Sequence, residues 1–279
     1  MRGLWQVSSI CSSDVLFPGS CLRYAKGMRE PRLTHFAARD GVELAWRELG
    51  DGLPVILLHG LFSDAEMNWI RFGHAERIAS AGFRVIMPDL RAHGQSARPH
   101  DAACYSPDIL TRDLEDLIAH LRLASFDLGG FSLGGRTTAQ AIGTGIRPRR
   151  AILAGMGLDS LSNWHERKGF FIDAIARFDS IKRGDPQFMA VQFMKTMKID
   201  RTAAARLLDS LDDGTPEWLK AFTIPTLVVC GEEDHDNGSP EELAFALPDA
   251  ELRLIPGTHM SSVAEPALGE AIAEFLARP

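Results

Sequence analysis

The chain has 279 residues, 45% hydrophobic and 24% charged, proportions that exclude a mainly disordered polymer. Lys and Arg total 30 against 37 Asp and Glu, a formal charge of −7 without any basic run, which argues against nucleic acid or an anionic membrane surface as a partner. No apolar stretch reaches the ~18 residues of a membrane span.

The four cysteines, Cys11, Cys21, Cys104 and Cys230, form no CxxC pair and have no histidine at zinc-like spacing. They read as free thiols of a reducing, cytoplasmic compartment. Residues 1–29 read as a disordered N-terminal extension, with Met28 as the functional start. Asp14 interrupts the apolar stretch that a secretory signal would need.

From Leu33 the pattern becomes regular. Leu33–Arg39 and Val42–Leu49 flank Asp40-Gly41, the signal of a hairpin. Pro54–His59, Phe83–Met87, Phe126–Phe131, Ala151–Ala154, Thr226–Cys230 and Leu252–Ile255 read as short strands. Between them, helices are expected over Ala75–Ala81, Pro107–Leu121, Arg136–Gly145, Pro240–Ala246 and Pro266–Leu276. The second shows Leu110, Leu114, Leu117, Ile118 and Leu121 on one face. Two antiparallel strands followed by strands alternating with helices predict an α/β fold with a mostly parallel eight-stranded sheet flanked by helices. Residues 157–222 break the alternation with helical stretches over Trp164–Phe178, Gln187–Met197 and Thr202–Leu211. The expected organisation is a core of residues 30–156 and 223–279, with 157–222 inserted after strand six as a helical lid.

Gly130-Phe131-Ser132-Leu133-Gly134 matches Gly-x-Ser-x-Gly between a predicted strand and a predicted helix. A serine hydroxyl is a weak nucleophile and must stand on a sharp turn beside a base. Gly129, Gly130, Gly134 and Gly135 give that turn room, and the following helix start offers backbone N–H groups to a developing oxyanion. The glycine spacing does not fit a dinucleotide-binding fingerprint.

With this motif in place, the chain from Leu33 onward resembles the α/β-hydrolase fold superfamily, as an esterase- or lipase-like member with a short lid. Leu58-His59-Gly60-Leu61 and Pro88-Asp89-Leu90-Arg91-Ala92-His93-Gly94 are two further landmarks. The resemblance implies an oxyanion hole from the N–H groups of Leu61 and Leu133, and structural roles for His59, Asp89 and His93. It implies that the base is His259, in the loop after the last strand, although Thr258 separates it from Gly257. It places the acid in Gly231-Glu232-Glu233-Asp234-His235-Asp236 and favours Asp234, with Asp236, then Glu233, then Asp159 as alternatives. A serine at position 132 is not the aspartate nucleophile of epoxide hydrolases or haloalkane dehalogenases.

The implied function is cleavage of a small, largely apolar carboxylic ester without cofactor or metal, the partner being the small-molecule substrate. A lactonase, a C–C bond hydrolase, a perhydrolase and a non-catalytic ligand-binding member are the alternatives. Trp164, Phe170, Phe171, Phe178, Phe188, Met189, Phe193, Met194, Met197 and Trp218 supply the apolar side chains of the lid segment. Asp64, Asn68 and Trp69 are candidates for the pocket entrance.

Overall fold

The computed structural model describes residues 30–162 and 164–278; the expected extension over 1–29 lies outside them. Among the described residues three consecutive strands come first, and from the third onward strands alternate with helices, eight strands in all. The strands are β1 (Arg32–Ala37), β2 (Glu43–Leu49), β3 (Leu53–Leu58), β4 (Phe83–Pro88), β5 (Asp127–Phe131), β6 (Ala151–Ala154), β7 (Thr226–Gly231) and β8 (Ala250–Ile255). The helices are α1 (His74–Ser80), α2 (Ile109–His120), α3 (Leu133–Thr144), α4 (Trp164–Ala176), α5 (Phe188–Thr196), α6 (Arg201–Ser210), α7 (Pro240–Ala246) and α8 (Pro266–Leu276).

The sheet runs β1-β2-β4-β3-β5-β6-β7-β8. The pairings of β1 with β2 and of β2 with β4 are antiparallel, and all the others are parallel. The hairpin turns where Asp40-Gly41 predicts it. Gly41 has φ +82°, and the Asp40 carboxylate accepts the Val42 N–H at 3.1 Å.

The central strands bury both faces, as parallel strands between helical layers must. In β3, Ile56 and Leu58 join one core while Val55 and Leu57 join the other. Helices α2 and α3 cover the first face; α1 and α8 cover the second. Each such buried aliphatic side chain contributes roughly 1.5–3 kcal/mol. Helix starts follow local chemistry: Asp200 caps α6 through the Thr202 and Ala203 N–H groups, and Ser239 with Pro240 opens α7.

Helices α4 to α6 leave the sheet after β6 and return at β7. Their buried residues, among them Trp164, Val191, Met194, Leu207 and Leu208, merge into the core that lies over α2 and α3. Two expectations shift. Helix α3 begins at Leu133, three residues before the predicted start, because the chain enters the helix directly from the turn at Ser132. Periodicity also passes over short helical turns such as Glu66–Ile70 and Pro216–Ala221. Among the described residues no helix is long and apolar enough to cross a membrane.

Candidate active site

Ser132 sits between β5 and α3 with φ 53° and ψ −113°, a backbone conformation that an L-residue adopts only under constraint. The constraint is visible. The Ser132 N–H donates to Ala154 O at 2.8 Å, and its own carbonyl accepts the Arg136 N–H at 2.9 Å. The turn is also too tight for side chains on either side. A Cβ on Gly130 would lie 2.3 Å from the Gly134 carbonyl carbon, and one on Gly134 would lie 2.3 Å from Leu58 O. The result is a partly exposed hydroxyl held above the carboxyl edge of the sheet.

His259 Nε2 lies 3.0 Å from Ser132 Oγ, and His259 Nδ1 lies 2.8 Å from Asp234 Oδ2. The Asp234 side chain is fully enclosed, so it must find its partners inside the protein. Oδ1 accepts the Asp236 N–H at 3.1 Å, and Oδ2 also faces the Cys230 thiol at 3.4 Å. Burial works against the charge on Asp234, but the hydrogen bond and the field of His259 prevail and hold its pKa below the usual carboxylate range. The same burial, with the neighbouring carboxylate, pushes the Cys230 thiol far up.

The two loops that carry these side chains are tied together. The Glu233 N–H donates to Gly257 O at 3.0 Å, so the residue Thr258 inserted before His259 is absorbed by the loop. Asn237 anchors the acid loop to the end of β6 by donating to Gly155 O at 2.9 Å. Of the alternatives to Asp234, Glu233 and Asp159 are exposed, and so is Asp236, although its carboxylate lies within 4.8 Å of the Asp234 and His259 donor atoms.

The Leu61 and Leu133 N–H groups donate to no protein acceptor among the described residues. The Leu61 loop is braced from below. The Gly60 N–H donates to Asn68 Oδ1 at 3.0 Å, and Phe62, at φ 60°, donates its N–H to His93 Nε2 at 3.0 Å. His93 Nδ1 donates to Arg91 O, while His59 donates from Nδ1 to Gly60 O and accepts the Leu90 N–H at Nε2. Both histidines are therefore neutral braces. Burial drives the His93 pKa down to about 3 and lowers that of His59. Asp89 accepts the N–H groups of Ala65 and Gln95, each at 2.8 Å.

Asn68 and Trp69 do not border an entrance. Asn68 is buried as the Gly60 brace, and Trp69 is fully buried in the core against α1 and α8. The apolar side chains between β6 and β7 also divide. Trp164 and Met194 are core, Met189 is 60% exposed, and Phe178 lies under the cations of Arg201 and Lys195. Phe171 meets Phe62 edge to face, with ring centroids 5.5 Å apart, which brings α4 against the Leu61 loop.

Periodicity did not single out two arginines. Arg136, one turn into α3 from Ser132, is buried between the rings of Trp164 and Trp218, each 5.6 Å from its guanidinium. Arg167, on α4, is half-buried, and Asp236 and Asp234 are the carboxylates acting on its charge. An intrahelical offset of four residues was the available signal for both: Ser132 to Arg136 and Arg167 to Phe171. Asp234, Asp236 and His259 are the grouping of possible metal ligands among the described residues, with donor atoms within 4.8 Å. Asp234 and His259 already bond each other there, so a cation would compete with that bond.

This arrangement joins a partly exposed hydroxyl, an imidazole in reach of it, a buried carboxylate behind the imidazole and backbone N–H groups without a protein acceptor, the parts of nucleophilic acyl transfer. A family model described as alpha/beta hydrolase fold matches residues 54–186. A non-heme chloroperoxidase, CPO-A1, of Kitasatospora aureofaciens is 30% identical over 258 residues, covering 79% of this chain and 89% of that protein. A 2-hydroxy-6-oxo-6-(2'-aminophenyl)hexa-2,4-dienoic acid hydrolase of Metapseudomonas resinovorans is 27% identical, covering 71% of this chain and 74% of that one. Among solved structures, a thermophilic esterase of Thermogutta terrifontis with malate bound superposes with a TM-score of 0.67 at 27% identity, covering 88% of this chain and 98% of that one.

Proposed function

Because the chain belongs to the α/β-hydrolase fold family, we propose that it is a serine hydrolase that cleaves a small, largely apolar carboxylic ester through an acyl-enzyme. The observation that carries this reading is the unbroken relay from Ser132 Oγ through His259 to Asp234, at 3.0 and 2.8 Å.

In this reading Ser132 Oγ attacks the ester carbonyl while His259 Nε2 takes its proton. The Leu61 and Leu133 N–H groups hold the tetrahedral oxyanion, each contributing ~100- to 1,000-fold in kcat. His259 then gives its proton to the departing alcohol. Water, deprotonated by the same imidazole, attacks the acyl carbonyl and frees Ser132. Asp234 fixes the imidazole with its proton on Nδ1 and stabilises the imidazolium. No cofactor enters this chemistry. The helices between β6 and β7 serve as the lid, with Phe171 forming part of the apolar wall.

A second reading is perhydrolysis, in which hydrogen peroxide replaces water at the acyl-Ser132 carbonyl and releases a peracid. It is favoured by the 30% identity to a protein named as a chloroperoxidase. Initial rates on p-nitrophenyl esters of increasing acyl length, wild type beside Ser132→Ala, test the main reading. Turnover lost in the variant supports it. Equal turnover in both overturns it. Peracid formation from ester and peroxide, absent in Ser132→Ala, separates the second reading from the first.

A further inference from the structure

Helix α4 presents two side chains one turn apart to the candidate site. Phe171 touches Phe62, the residue after Leu61. One turn earlier on the same face is Arg167, whose charge feels the carboxylates of Asp236 and Asp234. Phe171 and Arg167 thus share one face of α4, and Phe171 sets that face against the Leu61 loop.

Arg167 is partly buried, and among the described residues it makes no hydrogen bond or ion pair. Its neighbours are committed. The next residue, Lys168, donates to Asp209 O at 3.0 Å, and Arg136 donates to Asp212 O between two indoles. The carboxylates that Arg167 feels do not bond it. Asp234 is already engaged with His259, Cys230 and the Asp236 N–H, and Asp236 is exposed. A guanidinium carries five N–H donors in a planar fork and keeps its charge when desolvated. Burying that fork without partners is unfavourable unless a ligand supplies them. The chemistry that matches it is a carboxylate, taken by two parallel charge-assisted bonds.

We infer that Arg167 binds a carboxylate on the substrate, so that the ester or lactone taken by this site is an acidic one, apolar along its body where Phe171 lines the wall and anionic at one end. This rests on the reading of Ser132 as the nucleophile.

Two matched ester pairs test it: mono-p-nitrophenyl glutarate beside p-nitrophenyl valerate, and 3-carboxyphenyl butyrate beside phenyl butyrate. The first pair places the anion on the acyl side and the second on the alcohol side. The wild type is expected to prefer the acidic member of at least one pair. Arg167→Met should lower kcat/KM for that member on the order of 10- to 100-fold, mainly through KM, and change the neutral ester less than about threefold. Arg167→Lys should recover part of the loss, and Lys168→Gln should change neither. Equal losses on acidic and neutral esters, or no preference in either pair, would overturn the inference.

If no ester turns over, labelling of Ser132 by a fluorophosphonate probe separates the two claims. With labelling intact, protection by glutarate in the wild type but not in Arg167→Met upholds the carboxylate site, and absence of protection refutes it. Without labelling, the nucleophile reading fails, and calorimetric binding of glutarate to wild type against Arg167→Met decides the site on its own.

Discussion

His259 Nδ1 and Asp234 Oδ2 are 2.8 Å apart, and side-chain exposure falls from 12% at the imidazole to 0% at the carboxylate. The bond that orients the base thus lies where water cannot replace it. Asp234→Asn preserves shape but offers an amide that can donate, which favours the tautomer with the proton on Nε2, facing Ser132. Ester kcat should fall on the order of 10,000-fold with little change in KM. Steady-state kinetics on a p-nitrophenyl ester, with thermal unfolding as a fold control, measure it. A loss under tenfold would remove Asp234 from the relay.

Ser132 at φ 53° holds strain that glycine does not feel. Ser132→Gly should therefore be more stable than Ser132→Ala by about 1 kcal/mol, although both lack the nucleophile. Chemical denaturation of the two variants side by side gives the difference. Equal midpoints would mean that the turn carries no strain.

Much of this molecule was legible because its signals are local. Strands such as Ala151–Ala154 and helices such as Pro240–Ala246 and Pro266–Leu276 follow apolar runs, proline at the first turn and capping serine. Ser132 announces itself through glycines whose Cβ atoms would collide with Gly134 and Leu58. The geometry that brings His259 and Asp234 to it depends on loop pairing between Glu233 and Gly257, which leaves no periodic trace. Trp69, Arg136 and Arg167 owe their surroundings to segments far away in the chain. A tryptophan beside a glycine loop reads the same from sequence whether it faces a pocket or, like Trp69, the opposite core.

The neutral braces His59 and His93 make stability depend on pH. Burial depresses their folded pKa, for His93 from 6.5 to about 3, so the unfolded chain takes up protons there before the folded protein does. Their contribution is complete above about pH 6.5 and is lost progressively as the pH falls from there toward about 3. Each such histidine adds a slope of up to about 1.4 kcal/mol per pH unit within that window. His93→Gln should be less stable at pH 8, because Phe62 loses a well-placed acceptor, yet should lose stability less steeply between pH 6.5 and 4.5. Urea midpoints across that range test it; parallel slopes for the two proteins would show that His93 is protonated in the fold.

Arg136 separates the contribution of a charge from that of its stem. Its guanidinium is buried between Trp164 and Trp218, and burial pulls its pKa down to about 10 even with Asp213 and Asp212 opposing. At neutral pH the folded state therefore holds a cation in surroundings that disfavour it, while the stem and the planar head fill the gap between two indoles. Arg136→Met keeps most of that volume and removes the charge, so stability should stay within about 1 kcal/mol of wild type. Arg136→Ala opens a cavity between the rings and should destabilise by about 2–4 kcal/mol, with a change in tryptophan emission as Trp164 and Trp218 lose their packing. Both indoles flank the segment between β6 and β7, so the same variant should become cleavable by trypsin within residues 157–222 before the core is attacked. If the methionine and alanine variants were equally destabilised, the charge on Arg136, through its stacking and its bond to Asp212 O, would be the feature that holds this segment down.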